Sequence, residues 1–202
     1  RKHLLTLFFV CGWLLAGTYI AAAAGVVGDG KPTNCTAAAL TTALAGGGAV
    51  TFNCGSDPVA ITLTSDQVIT AATTIDGGDK VTLQGGALIV ATGATLTVNN
   101  LTLAESPHAA LVNNGGAVTI NASRFLSNTN LSGDGGAIVN QDGLLTINTT
   151  TFENNRAANG SAIASTGGTS LVIDDSDFHN NQAVTGNGGA LIIAAQHGSV
   201  TI

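Results

Sequence analysis

Apolar and polar residues alternate in short stretches along most of the chain, and four stretches align without gaps. They are Leu96-Thr97-Val98-Asn99-Asn100-Leu101-Thr102-Leu103, Val118-Thr119-Ile120-Asn121-Ala122-Ser123-Arg124-Phe125, Leu145-Thr146-Ile147-Asn148-Thr149-Thr150-Thr151-Phe152 and Leu171-Val172-Ile173-Asp174-Asp175-Ser176-Asp177-Phe178. A fifth begins at Val200-Thr201-Ile202. From Val98 to Ile120, Ile147, Ile173 and Ile202 the steps are 22, 27, 26 and 29 residues. Each stretch reads apolar, polar, apolar, then Asn or Asp. A period of two is a half-buried strand. The Asn or Asp marks a turn, because its side chain bonds nearby backbone and tolerates left-handed geometry. Strands this short cannot bury a face alone, whereas stacked copies bury a continuous core. The strands are built from Val, Ile and Thr and the repeats lack helix formers, which favours a parallel β-helix over a leucine-rich horseshoe.

The expected fold is therefore all-β: a right-handed parallel β-helix of about six turns between Ala49 and Ile202, each taking 22–29 residues. Thr97, Thr119, Thr146 and Thr201 are expected in an outward ladder, and Phe125, Phe152 and Phe178 in an inward stack. Ile61-Thr62-Leu63, Thr74-Ile75-Asp76 and Val81-Thr82-Leu83 read as further strands.

The hydrophobic spacing changes between Thr36 and Leu44. Leu40 and Leu44 are four apart and share a helical face, and Gly46-Gly47-Gly48 ends the helix. Residues 25–48 thus read as an N-terminal cap carrying a short helix, and residues 49–202 as the repeats. Residues 1–24 read differently again. Arg1-Lys2-His3 is a basic start, Leu4 to Ile20 an apolar run, and Ala21-Ala22-Ala23-Ala24 a small-residue cleavage site before Gly25. That order is a secretory signal peptide. The missing initial Met and the strand-like end at Ile202 mark a fragment, with the repeats truncated at the C-terminus.

Composition narrows the function. Charged residues are 9% of the chain and glycine supplies 27 of its 202 positions. Without residues 1–24 the bases are Lys31, Lys80, Arg124 and Arg156 against 12 acids, a net charge of −8. So few cations exclude a nucleic-acid partner. Two cysteines remain, Cys35 and Cys54; in an exported chain such a pair is a structural disulfide.

Candidate chemistry is sparse. Hydrolases need two carboxylates across one site. The best cluster is Asp174-Asp175-Ser176-Asp177 beside His179, but Asp174 aligns with the turn residues Asn99, Asn121 and Asn148. Asp76-Gly77-Gly78-Asp79 and Asp134-Gly135-Gly136 suggest calcium turns but lack the glycine-aspartate nonapeptide. His108, His179 and His197 have no ligand spacing and read as surface residues. Asn34, Asn100, Asn121, Asn130, Asn148 and Asn159 begin Asn-x-Ser/Thr triplets, which matter only in a eukaryotic source. No cofactor, metal or catalytic residue is assigned. Trp13 and Tyr19 lie in the leader, so residues 25–202 lack both aromatic types favoured in sugar clefts.

Two tetrapeptides recur within the repeats. Gly85-Gly86-Ala87-Leu88, Gly115-Gly116-Ala117-Val118, Gly135-Gly136-Ala137-Ile138 and Gly188-Gly189-Ala190-Leu191 are Gly-Gly-Ala-aliphatic, with Gly160-Ser161-Ala162-Ile163 a near copy. Phe125 with Asn128, Phe152 with Asn155 and Phe178 with Asn181 form Phe-x-x-Asn; Leu103-Ala104-Glu105-Ser106 has lost both landmarks. This pairing resembles the repeats of chlamydial polymorphic outer-membrane proteins and of secreted bacterial right-handed β-helix proteins more broadly. The Cys35-to-Cys54 start is similar to their N-terminal cap. The resemblance implies an exported passenger at the bacterial outer membrane or outside the cell, adhesive or structural. Its partners would be host or neighbouring-cell surface molecules or polysaccharide, with membrane attachment only through a C-terminal anchor or barrel missing here. The alternative is a polysaccharide lyase or glycoside hydrolase whose catalytic turns lie beyond Ile202.

Overall fold

A computed structural model describes residues 25–167, 170–194 and 198–202. The expected leader and His197 lie outside them. The chain is a parallel β-solenoid of about seven turns, in which every paired strand runs parallel to its neighbours. The first face stacks Gly25–Val27, Gly48–Phe52, the first halves of Thr73–Gln84 and Thr95–Ala104, then Ala117–Asn121, Leu144–Asn148, Ser170–Asp174 and Ser199–Thr201. The second face stacks Val59–Thr62, the second halves of the two long strands, Arg124–Leu126, Thr151–Glu153 and Asp177–His179. The third stacks Gln67–Ile69, Leu88–Val90, Leu111–Asn114, Ile138–Gln141, Ile163–Thr166 and Leu191–Ile193. Six advances separate Gly48–Phe52 from Ser199–Thr201. The seventh is the step from Gly25–Val27, a strand the repeat pattern does not reveal.

The gap-free sequence alignment is the hydrogen-bond register. Leu96 pairs with Val118, Val118 with Leu145, Leu145 with Leu171 and Leu171 with Val200. On the second face Leu103 pairs with Phe125, Phe125 with Phe152 and Phe152 with Phe178. A one-residue slip would turn every buried side chain outward, so burial fixes this register. Leu96, Val98, Val118, Ile120, Leu145, Ile147 and Leu171 are all 2% exposed or less. Thr74, Thr97, Thr119 and Thr146 form the outward ladder, which Val172 interrupts before Thr201.

The corner between first and second faces needs left-handed backbone one residue after the Asn or Asp. It is supplied by Asn100, Ala122, Thr149 and Asp175, with φ between 45° and 50°. The next corner places Glu105, Ser127, Asn154 and Asn180 in the same region.

At the N-terminal end, helix α1 (Ala37–Leu44) begins at Thr36, whose hydroxyl accepts the Ala39 amide at 3.2 Å. Leu40 and Leu44 are buried beneath it, as the four-residue spacing predicts. The helix packs on Gly25–Val27. Covering a terminal strand in this way blunts an edge that would otherwise pair with another chain. Cys35 and Cys54 are bridged, with Cα atoms 5.8 Å apart, inside the range a disulfide requires.

The recurring Gly-Gly-Ala tetrapeptide is not one landmark. Gly85, Gly135, Gly160 and Gly188 each turn the chain into the third face, ahead of Leu88, Ile138, Ile163 and Leu191. Gly115-Gly116-Ala117 instead leads from the third face into the first, at Val118. The third-face equivalent in that turn is His108-Ala109-Ala110, before Leu111. The glycines also differ in why they are glycine. A Cβ on Gly136 would lie 2.6 Å from the Arg156 carbonyl oxygen, whereas one on Gly189 would meet nothing within 4 Å.

Candidate functional site

The Phe-x-x-Asn repeat builds two buried columns. Phe125 and Phe152 are fully buried and stack with ring centroids 4.9 Å apart; Phe152 and half-buried Phe178 stack at 4.8 Å. This spacing is the inter-strand repeat, so the parallel register itself sets it. Leu103 continues the column below Phe125.

Asn128, Asn155 and Asn181 form a hydrogen-bonded ladder. Asn128 Nδ2 donates to Asn155 Oδ1 at 3.0 Å, and Asn155 Nδ2 to Asn181 Oδ1 at 2.9 Å. Each Oδ1 also accepts the backbone amide of the preceding rung, from Ser106, Asn128 and Asn155 at 3.0 Å. Each Nδ2 reaches a carbonyl one rung below, of Leu103, Phe125 and Phe152. Asn128 and Asn155 are fully buried. A buried amide is tolerated because its donors and acceptor are satisfied.

A second column, Asn99, Asn121 and Asn148, joins side chain to side chain at 2.9 and 2.8 Å along the half-exposed corner. A third was missed in the sequence. Asn113 Nδ2 donates to Asn140 Oδ1 at 2.8 Å, and Asn140 Nδ2 to Ser165 Oγ at 2.9 Å, all fully buried on the third face. Its sequence signal is apolar-aliphatic-Asn followed by Gly three residues on, at Leu111-Val112-Asn113 with Gly116 and Ile138-Val139-Asn140 with Gly143. Asn113 bonds both the amide and the carbonyl of Gly116.

The carboxylate cluster is a corner. Asp174 occupies the rung above Asn148, and its carbonyl accepts the Thr149 amide and the Ser176 hydroxyl. Asp175 is the left-handed residue, and Asp177 pairs with Thr151. In the two glycine turns, Asp76 Oδ1 accepts the Gly78 amide and Asn100 Nδ2, while Asp134 Oδ1 accepts Asn159 Nδ2 at 2.6 Å. Among the described residues no three His, Cys, Asp or Glu side chains converge as metal ligands. In all six Asn-x-Ser/Thr triplets the Asn Nδ2, the atom a glycan would take, donates within the fold. Its acceptors are Asp29 for Asn34, Asp76 for Asn100, Asn99 for Asn121, Asp134 for Asn130 and Asn159, and Asn121 for Asn148. Those triplets serve corners and loop ladders.

Together these columns define the class of protein: a parallel β-solenoid locked by one aromatic and three polar side-chain columns. Comparison with protein-family models, curated proteins and solved structures found no match.

Proposed function

We propose that the chain is the passenger or scaffold of a secreted or cell-surface β-helix protein, with an adhesive or structural role. The observation that carries this reading is the uninterrupted register of the first face. Its outward Thr column from Thr74 to Thr146 and its corner Asn column from Asn99 to Asn148 repeat rung by rung over about 4.8 Å each, on a backbone held by buried ladders. Such a face offers many equivalent weak contacts, which add through effective concentration rather than single-site affinity. The Cys35–Cys54 bridge suits an oxidising compartment, and the leader-like residues 1–24 fit export. Partners would be surface molecules of host or neighbouring cells, or polysaccharide, with membrane attachment through a separate anchor or barrel.

The test is binding of the complete protein to intact cells and immobilised matrix. Saturable binding, reduced when Thr97, Thr119 and Thr146 are replaced together by Lys, is the expected result. Absence of binding at micromolar concentration to every surface tested removes the adhesive role and leaves the structural one.

A further inference from the structure

Two consecutive turns widen the corner between the first and second faces. Residues 53–58 intervene between the strands Gly48–Phe52 and Val59–Thr62. In the next turn residues 77–80 intervene between Asp76 and Val81, and the register shifts there. Asp76 and Val81 pair with Asn99 and Leu101, which only Asn100 separates. Later turns round the same corner with one left-handed residue each, Ala122, Thr149 and Asp175. Insertions in a solenoid gather on one face, which is often where it binds, and a bulge re-aims the side chains beside it.

The two insertions border a cavity of about 320 Å³, at the small end of ligand pockets. Its buried or half-buried apolar side chains include Phe52, Val59 and Val81, and its charged ones are Asp57, Asp76 and Lys80. Both walls are held in place. Cys54, in the first insertion, is bridged to Cys35. In the second, Asp76 Oδ1 accepts the Gly78 amide at 3.0 Å and Asn100 Nδ2 at 3.1 Å. A Cβ on Gly77 would lie 2.5 Å from the Asn100 carbonyl oxygen, so this insertion rests directly on the turn above. The charges, by contrast, do not pair with one another. Among the described residues Lys80 has no ion pair, and Asp57 accepts only the Ser56 hydroxyl at 3.3 Å.

We propose that this cavity binds a free amino acid with an apolar side chain. The ligand carboxylate sits on Lys80, its ammonium on Asp57 and Asp76, and its side chain on Phe52, Val59 and Val81. A simple anion would meet two carboxylates, and a simple cation would meet Lys80. A zwitterion sets each of its charges against an opposite one. The small volume and the three apolar side chains favour a compact aliphatic ligand over a longer chain of either peptide or sugar. Walls fixed by the bridge and by Asp76 reduce the ordering that binding requires. Asp57 and Lys80 are exposed, so each charge contact has the strength of a surface ion pair.

The experiment titrates the complete protein with leucine and follows the Val59 and Val81 methyl signals by NMR. Leucinamide, which lacks the anion, and N-acetylleucine, which lacks the cation, are titrated in parallel. The expected result is saturable movement of both signals at roughly millimolar leucine, with each analogue about fivefold weaker. Lys80→Gln removes the preference for leucine over leucinamide and keeps the preference over N-acetylleucine. Asp57→Asn lowers the preference over N-acetylleucine and keeps the one over leucinamide. Both changes are at exposed side chains, so the fold tolerates them. Methyl signals that stay unmoved at leucine about tenfold above the millimolar range overturn the proposal. So does a preference over leucinamide that survives Lys80→Gln, or one over N-acetylleucine that Asp57→Asn leaves unchanged.

Discussion

Asn155 joins three rungs through one side chain. Its Oδ1 accepts the Asn128 amide and Nδ2, and its own Nδ2 reaches the Phe125 carbonyl and Asn181 Oδ1. No water reaches it, so Asn155→Ala leaves buried donors and an acceptor without partners. The expected cost is about 3 kcal/mol, the upper end for an unsatisfied buried group. Asn148 makes the same kind of side-chain bond in the half-exposed corner column. There water replaces the lost partner, and Asn148→Ala is expected to cost about 1 kcal/mol or less. Chemical denaturation of the two variants measures the difference; equal costs would mean that burial is not what makes the inner ladder matter. Ser106 shows the same logic where the ladder begins. It gives Asn128 only its backbone amide, which leaves its hydroxyl free to face His108.

At the scale of elements, the cap is the part least tied to the stack. Helix α1 has eight residues, too few to persist alone in water, so it depends on Leu40, Leu44 and the bridge to Cys54. Cys35 and Cys54 are 19 positions apart. Opening a loop of that length costs about 3 kcal/mol on the chain-entropy estimate. Cys35→Ser with Cys54→Ser is expected to lower the unfolding free energy by that amount. It should also raise hydrogen exchange in Gly25–Val27 and α1 before the rungs from Thr95 onward. Uniform loss of protection along the chain would contradict a separately held cap. The helix and the cysteine pair were legible in the sequence, because spacing and composition are local signals. The strand Gly25–Val27 was not: three residues carry no period, and only packing against Val50–Phe52 and α1 makes them a strand. The glycine turns were misgrouped for a related reason. Gly115-Gly116-Ala117 and Gly135-Gly136-Ala137 are identical as text, and only the register shows that they bend the chain at different corners.

For the whole molecule, the repeat alone sufficed to infer the architecture. A solenoid makes contacts only between neighbouring turns, so a gap-free alignment of Leu96–Leu103 with Val118–Phe125 is already a contact map. The low charge follows from the same geometry. Residues that face inward or pair within three stacked faces leave few exposed positions, and among the described residues Arg124 pairs with Glu153 while His108 Nε2 lies 3.4 Å from Asp66. What escaped the sequence is the union of Asp66 with Ser106 and His108. Forty residues separate Asp66 from Ser106, and no motif spans them; two turns of the solenoid bring them together.

The register is the claim on which every column depends. It is tested most directly by paired cysteines on the first face, with closure mapped by mass spectrometry against the native cysteines. Thr119 and Thr146 are register partners on neighbouring parallel strands, at a separation a disulfide can span. Thr119→Cys with Thr146→Cys is predicted to close rapidly under mild oxidation, while Thr119→Cys with Asn148→Cys, two residues out of register, stays open. Preferential closure of the out-of-register pair, or of neither, would contradict the stacked solenoid described here.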